Sequence, residues 1–271
     1  MELHGVYADL AADGEALDGL VADLDAKEWS TPTPAPGWTI GHQIAHLAFI
    51  VHLGGLSASD AEAFEVAAAP ARIDFQGSVN AALADYMAEG QEGVMARWRA
   101  ERSVGAEALA SVPDGQMVPW LVNPLPPSVI AAAAIMETFG HGQDVADGLG
   151  VRRERTDRIE HLVTFGMHTR AFGYMAHGMK PPEEPVRLDL TAPSGARWEF
   201  GPADAAEVVS GSAWDFCMLI TRRRHRDDLD LTAAGAEADR WLSIAQAFRG
   251  PAGEGRRPGQ FADTQEQHSA V

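Results

Sequence analysis

The stretch Gly37-Trp-Thr-Ile-Gly-His-Gln-Ile-Ala-His-Leu47 decides the fold, because it joins the start of a helix to a pair of histidines. Three prolines precede it, so the chain arrives as an extended loop, and Thr39 can cap the helix that follows. His42 and His46 lie four residues apart, which places both imidazoles on one helical face. We predict a helix that runs from Thr39 to the glycine pair Gly54-Gly55, where it ends.

A second stretch repeats this spacing. In Met136-Glu-Thr-Phe-Gly-His-Gly-Gln-Asp-Val-Ala-Asp147, Glu137 and His141 are four residues apart, and Asp144 follows on the same face. If the two helices face each other, His46, Glu137 and His141 provide two nitrogens and one carboxylate. Such a set suits zinc with an open fourth position, and equally iron, nickel or manganese. Asp144 would accept a hydrogen bond from His141 and fix its tautomer.

Both motifs leave alternatives open. A glutamate and a histidine four residues apart also form an ordinary ion pair on a helix surface, so the spacing does not require a metal. His42 has three candidate roles: a fourth ligand that closes the site, an acid or base beside it, or an exposed neighbour.

The remaining periodicity predicts a mainly α protein. Helices are expected at Val6–Leu24, Ser59–Ala68, Ser78–Ala110, Val129–Leu149 and Ile159–Gly178. After Pro182 the pattern alternates, which predicts a strand hairpin at Val186–Thr191 and Arg197–Phe200 followed by further short strands and helices. We therefore predict a helical bundle domain over residues 1–180, a small α+β domain over 181–250 and a disordered tail over 251–271.

Composition excludes several classes of function. The chain has 271 residues, with 39 acidic and 21 basic side chains and a formal net charge of −18. This balance argues against nucleic-acid and anionic-membrane partners. One cysteine, Cys217, rules out an intramolecular disulfide and a cysteine-only zinc site. No apolar run is long enough to span a membrane, so we expect a cytoplasmic protein.

The two motifs resemble the paired metal-binding helices of the DinB-like superfamily, in particular the group of mycothiol-dependent maleylpyruvate isomerases. The later stretches Asp215–His225 and Trp241–Phe248 are similar to the C-terminal domain of that group. The order of the motifs agrees over roughly residues 5–250.

The resemblance implies an up-and-down four-helix bundle that binds a divalent metal, usually zinc, through His46, Glu137 and His141. It also implies chemistry with mycothiol, whose thiolate adds to a double bond for isomerisation or displaces a leaving group for transfer. The sequence departs from the group at His42, where relatives often carry an acidic residue, and this leaves the exact reaction open.

Two further features allow more than one interpretation. The basic run Arg222–Arg226 is either a solvated helix end or a clamp for an anionic cofactor, in which Arg222 and Arg223 would bind a carboxylate or phosphate. Cys217 lies in an apolar run and is expected to be a buried core residue.

Three functions fit these observations. The first is a metal-dependent isomerase or S-transferase that uses mycothiol and acts on a small molecule. The second is a thiol-independent metalloenzyme of a biosynthetic pathway, such as an isomerase, cyclase, dehydratase or hydrolase, with His42 as acid or base. The third is a non-catalytic metal-binding protein with a closed ligand shell. The sequence leaves the substrate and the oligomeric state open.

Overall fold

Apolar side chains at three- and four-residue spacing build the N-terminal part of the chain from helices. The computed structural model describes residues 4–262, and these divide into two compact units between Arg153 and Glu154. The helices of the first unit are α1 Val6–Val21, α2 Ala26–Trp29, α3 Ile40–Ser59, α4 Ala61–Ile73, α5 Phe75–Met87, α6 Gly90–Ser111 and α7 Pro127–Leu149.

Four of these helices form the predicted up-and-down bundle. Helix α3 packs against α6 and α7, and α1 packs against the same two helices. The core between them contains fully buried side chains such as Leu17, Ile44, Leu47 and Trp98. Burial of this apolar surface is the main stabilising contribution. The mainly α fold class predicted from the periodicity is confirmed.

The prediction that Gly54-Gly55 ends the helix is wrong, because α3 continues to Ser59. The glycines serve packing instead. A Cβ on Gly55 would lie 3.2 Å from the Cα of Gly105, and a Cβ on Gly105 would lie 2.8 Å from the carbonyl oxygen of Val51. Helices α3 and α6 therefore approach so closely that side chains are excluded at this crossing.

The stretch predicted as one helix over Ser78–Ala110 is two helices. Helix α5 ends at Met87, and α6 begins at Gly90, which has φ 71°. The second motif does lie on one long helix, α7, and Gly150 ends it in the left-handed conformation with φ 67°. None of the described helices combines the length and the apolar content that a membrane span needs.

The second unit combines a four-stranded sheet with short helices. Its elements are a 3₁₀ turn Asp157–Ile159, α8 Glu160–His168, α9 Ala171–Ala176, β1 Val186–Thr191, β2 Arg197–Phe200, β3 Glu207–Ser212, α10 Ala213–Ile220, β4 Leu231–Ala234 and α11 Ala236–Ile244. The strand order is β2-β1-β3-β4. Strands β1 and β2 form the predicted antiparallel hairpin, whereas β1 and β3 are parallel.

The boundary between the units differs from the expected position near residue 180. Helices α8 and α9 belong to the second unit, because α8 packs against α10 and α9 packs against α11. Part of the expected tail, residues 263–271, lies outside the described residues. Within 251–262, the Gly259 N–H donates to Asp228 Oδ1 at 2.8 Å, and Phe261 lies under the guanidinium of Arg224.

Candidate metal site

The three residues predicted as metal ligands lie together in the bundle. His46 is near the middle of α3, and Glu137 and His141 lie one turn apart on α7. Glu137 Oε2 lies 3.1 Å from His141 Nε2 and 3.6 Å from His46 Nε2. One ligand atom from each residue lies within 4.8 Å of the other two, and in the described chain no further His, Cys, Asp or Glu joins this donor cluster.

The spacing of the donor cluster fits a divalent metal. Ligands at 2.0–2.2 Å from a tetrahedral ion lie about 3.3–3.6 Å from one another, close to the two distances given above. His46 supports the same interpretation. Its Nδ1 is buried without a hydrogen-bond partner, and its contact with Glu137 is too long for a hydrogen bond. A buried imidazole without direct hydrogen bonds is unusual as a purely structural residue.

The electrostatics of the donor cluster keep the carboxylate ionised. Burial alone would raise the pKa of Glu137, but its interactions with the side chains of His141 and His46 outweigh burial and hold that pKa well below its usual range. The Glu137 side chain remains 23% exposed, so the cluster is accessible from one side. A carboxylate must be ionised and accessible to bind a metal ion, and Glu137 meets both conditions.

A chain of hydrogen bonds orients His141. Its Nδ1 donates to Gln43 Oε1 at 2.5 Å, Gln43 Nε2 donates to Thr33 Oγ1 at 2.8 Å, and the Thr33 hydroxyl donates to the carbonyl oxygen of Trp38 at 3.0 Å. With the proton held on Nδ1, the lone pair of His141 Nε2 is directed towards the donor cluster. This direction is the one that a metal ligand requires.

The sequence motif predicts Asp144 in this orienting role, whereas the structure has Gln43 at the Nδ1 atom of His141. Asp144 lies buried one turn further along α7. A usable signal was present, since Gln43 precedes His46 by three residues and shares its helical face. This signal does not predict His141 as the partner of Gln43. The two residues are 98 positions apart, and helical spacing relates only residues of one helix.

The proline-rich loop before α3 provides an aromatic cover. The Trp38 ring stacks on His141 at an interplanar angle of 21° and a centroid distance of 5.7 Å, and it lies tilted 5.3 Å from His46. The Thr33 N–H donates to the Trp38 carbonyl, and the Trp38 N–H donates to the Ala35 carbonyl, so the loop backbone holds the indole in place. Trp38 therefore shields one side of the donor cluster from water.

His42 lies outside the donor cluster and caps α3. Its Nδ1 accepts the Thr39 N–H at 3.3 Å and lies 2.8 Å from Thr39 Oγ1. The neutral ring therefore carries its proton on Nε2. Burial lowers the pKa of His42, which favours this neutral form. Of the three candidate roles, a ligand role is the one that this bonding pattern favours least.

The remaining candidate residues lie in the C-terminal unit. Arg222 lines a cavity there, and Arg223 Nη1 donates to the Thr221 carbonyl at 2.6 Å. Cys217 is fully buried, and burial raises the pKa of its thiol well above the usual value, with a further contribution from Asp215. A thiol in this state is not a nucleophile at neutral pH.

Comparison with known proteins identifies the family. Residues 10–146, just over half of the chain, match the family model described as the mycothiol maleylpyruvate isomerase N-terminal domain, and this range contains the whole donor cluster. The chain belongs to this family. The resemblance inferred from the two motifs is thereby confirmed.

Two relatives match over most of the chain. Two uncharacterised proteins of Mycobacterium tuberculosis, Rv0036c and MT0041, are each 43% identical over 249 residues, which is 92% of this chain and 97% of each relative. Their names assign no reaction. A second family model, described as wyosine base formation, matches residues 182–234, the part of the C-terminal unit that holds the sheet.

Solved structures of the isomerase family share the fold. The crystal structure of the mycothiol-dependent maleylpyruvate isomerase matches with a TM-score of 0.54 at 16% identity, and covers 86% of this chain and 93% of that one. A histidine-to-alanine mutant of that isomerase matches with a TM-score of 0.56 at 17% identity and the same coverage. At this level of identity the likeness establishes the architecture.

Proposed function

We propose that this protein is a divalent-metal-dependent enzyme that uses a low-molecular-weight thiol, mycothiol, to isomerise a small molecule or to transfer a group to it. The observation that carries the proposal is the donor cluster of His46, Glu137 and His141 in a fold of the mycothiol-dependent isomerase family. Family membership supports the use of mycothiol, and the donor cluster supports the binding of a metal.

Each residue near the donor cluster has a defined task in this proposal. His46, Glu137 and His141 would hold the ion, and Gln43 keeps the His141 lone pair available. Trp38 excludes water from one side of the cluster. When bound, the metal would act as a Lewis acid and lower the pKa of a thiol. Zinc suits two imidazoles and a carboxylate best, with iron, nickel and manganese as alternatives.

The nucleophilic sulfur in this proposal comes from outside the protein. Cys217 is the sole cysteine of the sequence, and its buried thiol has a raised pKa. A small-molecule thiol is therefore required for any thiolate chemistry. His42 is the candidate acid, because its capped Nδ1 leaves the transferable proton on Nε2.

Two measurements on the purified protein test this proposal. Elemental analysis after zinc reconstitution should give about one equivalent per chain, and the variants H46A and H141A should lose it. The matched control is H52A, because His52 lies on the same helix but pairs with Glu101. Less than a tenth of an equivalent in the unmodified protein would refute the metal site.

Calorimetry with mycothiol then separates two classes of enzyme. Binding to the metal-loaded protein, lost in H46A, supports the thiol-dependent function. Metal loading without mycothiol binding would instead favour a thiol-independent isomerase, cyclase, dehydratase or hydrolase, in which His42, in the first turn of α3, acts as acid or base. A non-catalytic protein with a closed shell is disfavoured, since His42 does not complete the cluster.

The proposal names a small molecule rather than a nucleic acid as substrate. The match to wyosine base formation covers the sheet region alone, and the net charge of −18 disfavours a polyanion.

A further inference from the structure

A cavity in the C-terminal unit is lined by an excess of positive charge. Its volume is about 320 Å³, and it lies between the end of α10, the loop after it, the end of α11 and the segment around Gly255. This size suits a small molecule. The arginines on its walls are Arg222, Arg224, Arg226 and Arg256, against the carboxylates of Asp227 and Glu254.

Arg222 ends α10 in a conformation that glycine adopts more readily. Its φ is 59°, and no other non-glycine residue of the described chain has a positive φ. The Arg222 N–H donates to the Leu219 carbonyl and the Arg223 N–H donates to the Met218 carbonyl, each at 2.9 Å. These two bonds define a Schellman motif, whose left-handed position usually holds glycine. The arginine therefore carries backbone strain that glycine would relieve.

The guanidinium of Arg222 is half-buried, and within the described residues it has neither a hydrogen bond nor an ion pair. By contrast, Arg226 on the same wall pairs with Asp239 at 2.5 Å. Burial lowers the pKa of Arg222, and the nearby charge of Arg256 lowers it further. A Cβ on Gly255 would lie 2.7 Å from Arg222 Nη2, so the backbone of that segment packs directly on the charged group.

A bound ligand would account for both observations. A half-buried cation without a counter-ion destabilises the protein, and so does the left-handed backbone that presents it. A bound anion would compensate for the charge, and the planar guanidinium matches an oxyanion in a bidentate manner. Asp227 does not neutralise the arginines directly, because it is exposed and lies 3.5 Å from the His225 ring.

We propose that this cavity binds the phosphate or carboxylate group of a small molecule, with Arg222 as the main contact and Arg256 beside it. The residues that line this cavity all belong to the second unit.

The test is calorimetry on the metal-stripped full-length protein, with inorganic phosphate and acetate as probes at constant ionic strength. Binding of phosphate alone identifies a phosphate site, and binding of acetate alone identifies a carboxylate site. Binding of both identifies a general oxyanion site. If neither probe binds, or if chloride at the same ionic strength abolishes binding, the proposal is refuted.

The variant R222G separates binding from stability. We expect it to lose at least tenfold in affinity for the probe while its melting temperature stays equal or rises by up to about 4 °C, because the strain and the uncompensated charge are gone. R256Q should also weaken binding. The matched control is R240Q, which breaks an exposed pair with Glu237 and should bind normally. Unchanged affinity in R222G, or a lower melting temperature, would show that the arginine is structural.

Discussion

Replacing Gln43 with leucine removes the hydrogen bond that orients His141 and changes the volume of the side chain little. Gln43 is fully buried on α3. Its amide accepts from His141 Nδ1 and donates to Thr33 Oγ1. In Q43L the imidazole loses the partner that holds its proton on Nδ1, and the lone pair of Nε2 is no longer fixed towards the donor cluster.

The expected magnitude follows from these two hydrogen bonds. The His141 side chain is 14% exposed, so water replaces its lost partner poorly, whereas Thr33 is half-buried and can be hydrated. An unsatisfied buried donor costs about 1–3 kcal/mol, which sets the expected loss of unfolding free energy. Loss of the group that orients a ligand lowers metal affinity by about 10–100-fold, or about 1.4–2.7 kcal/mol.

Competition with a chromophoric chelator measures the metal affinity, and urea unfolding measures the stability. The control Q143L removes another buried glutamine, whose Nε2 donates to Asp147 Oδ1 at 2.8 Å. It should lose stability but bind metal normally. Q43E keeps an acceptor for His141 and should stay within a few-fold of the unmodified affinity. If Q43L binds zinc as tightly as the unmodified protein, Gln43 does not orient a metal ligand.

Three further predictions concern packing, capping and ionisation. G105A should lower the unfolding free energy by about 1–3 kcal/mol, because its Cβ meets a carbonyl of α3. The control G19A lies on the open face of α1 and should raise the unfolding free energy by up to about 1 kcal/mol. Equal effects of the two variants in thermal melts would contradict the close crossing of α3 and α6. H42A should lose about 1 kcal/mol with the capping box and keep its metal by elemental analysis, since metal loss would make His42 a ligand. That stability difference should shrink as the pH falls below about 6.5, because burial lowers the pKa of His42 and the unfolded chain is protonated first. Burial raises the pKa of Tyr86 to about 12, so the absorbance at 295 nm should show a last titration step near that pH. The variant Y86F should lack this step. Titration of all tyrosines of the native protein near pH 10 would contradict the burial of Tyr86.

Local features of the chain were predictable from sequence. Thr39 occupies the N-cap position of α3 as expected, and Gly150 ends α7. Both helix ends depend on backbone groups of residues that are close in sequence, so the sequence alone is enough to predict them. The pairing of His46 with Glu137 and His141 was predictable because a helical period places each motif on one face and a bundle brings two faces together.

Contacts between distant segments were not predictable in the same way. Gly55 and Gly105 look like helix breakers in sequence, but they permit a close crossing of two helices. Gln43 is an ordinary polar residue of α3 until α7 packs beside it. Helices α8 and α9 read as a continuation of the bundle, yet they pack with α10 and α11 in the second unit.

The sequence by itself determined the helical motifs, the two nitrogens and one carboxylate of the donor cluster, and the absence of a second cysteine. Only the tertiary structure decided that Gln43 orients His141 and that His42 caps α3. It also decided that Arg222 lines a cavity and has a strained backbone. The physical reason is the range of the interactions. Helical period and capping act within a few residues, whereas hydrogen bonds and buried charges depend on partners that folding brings from far along the chain.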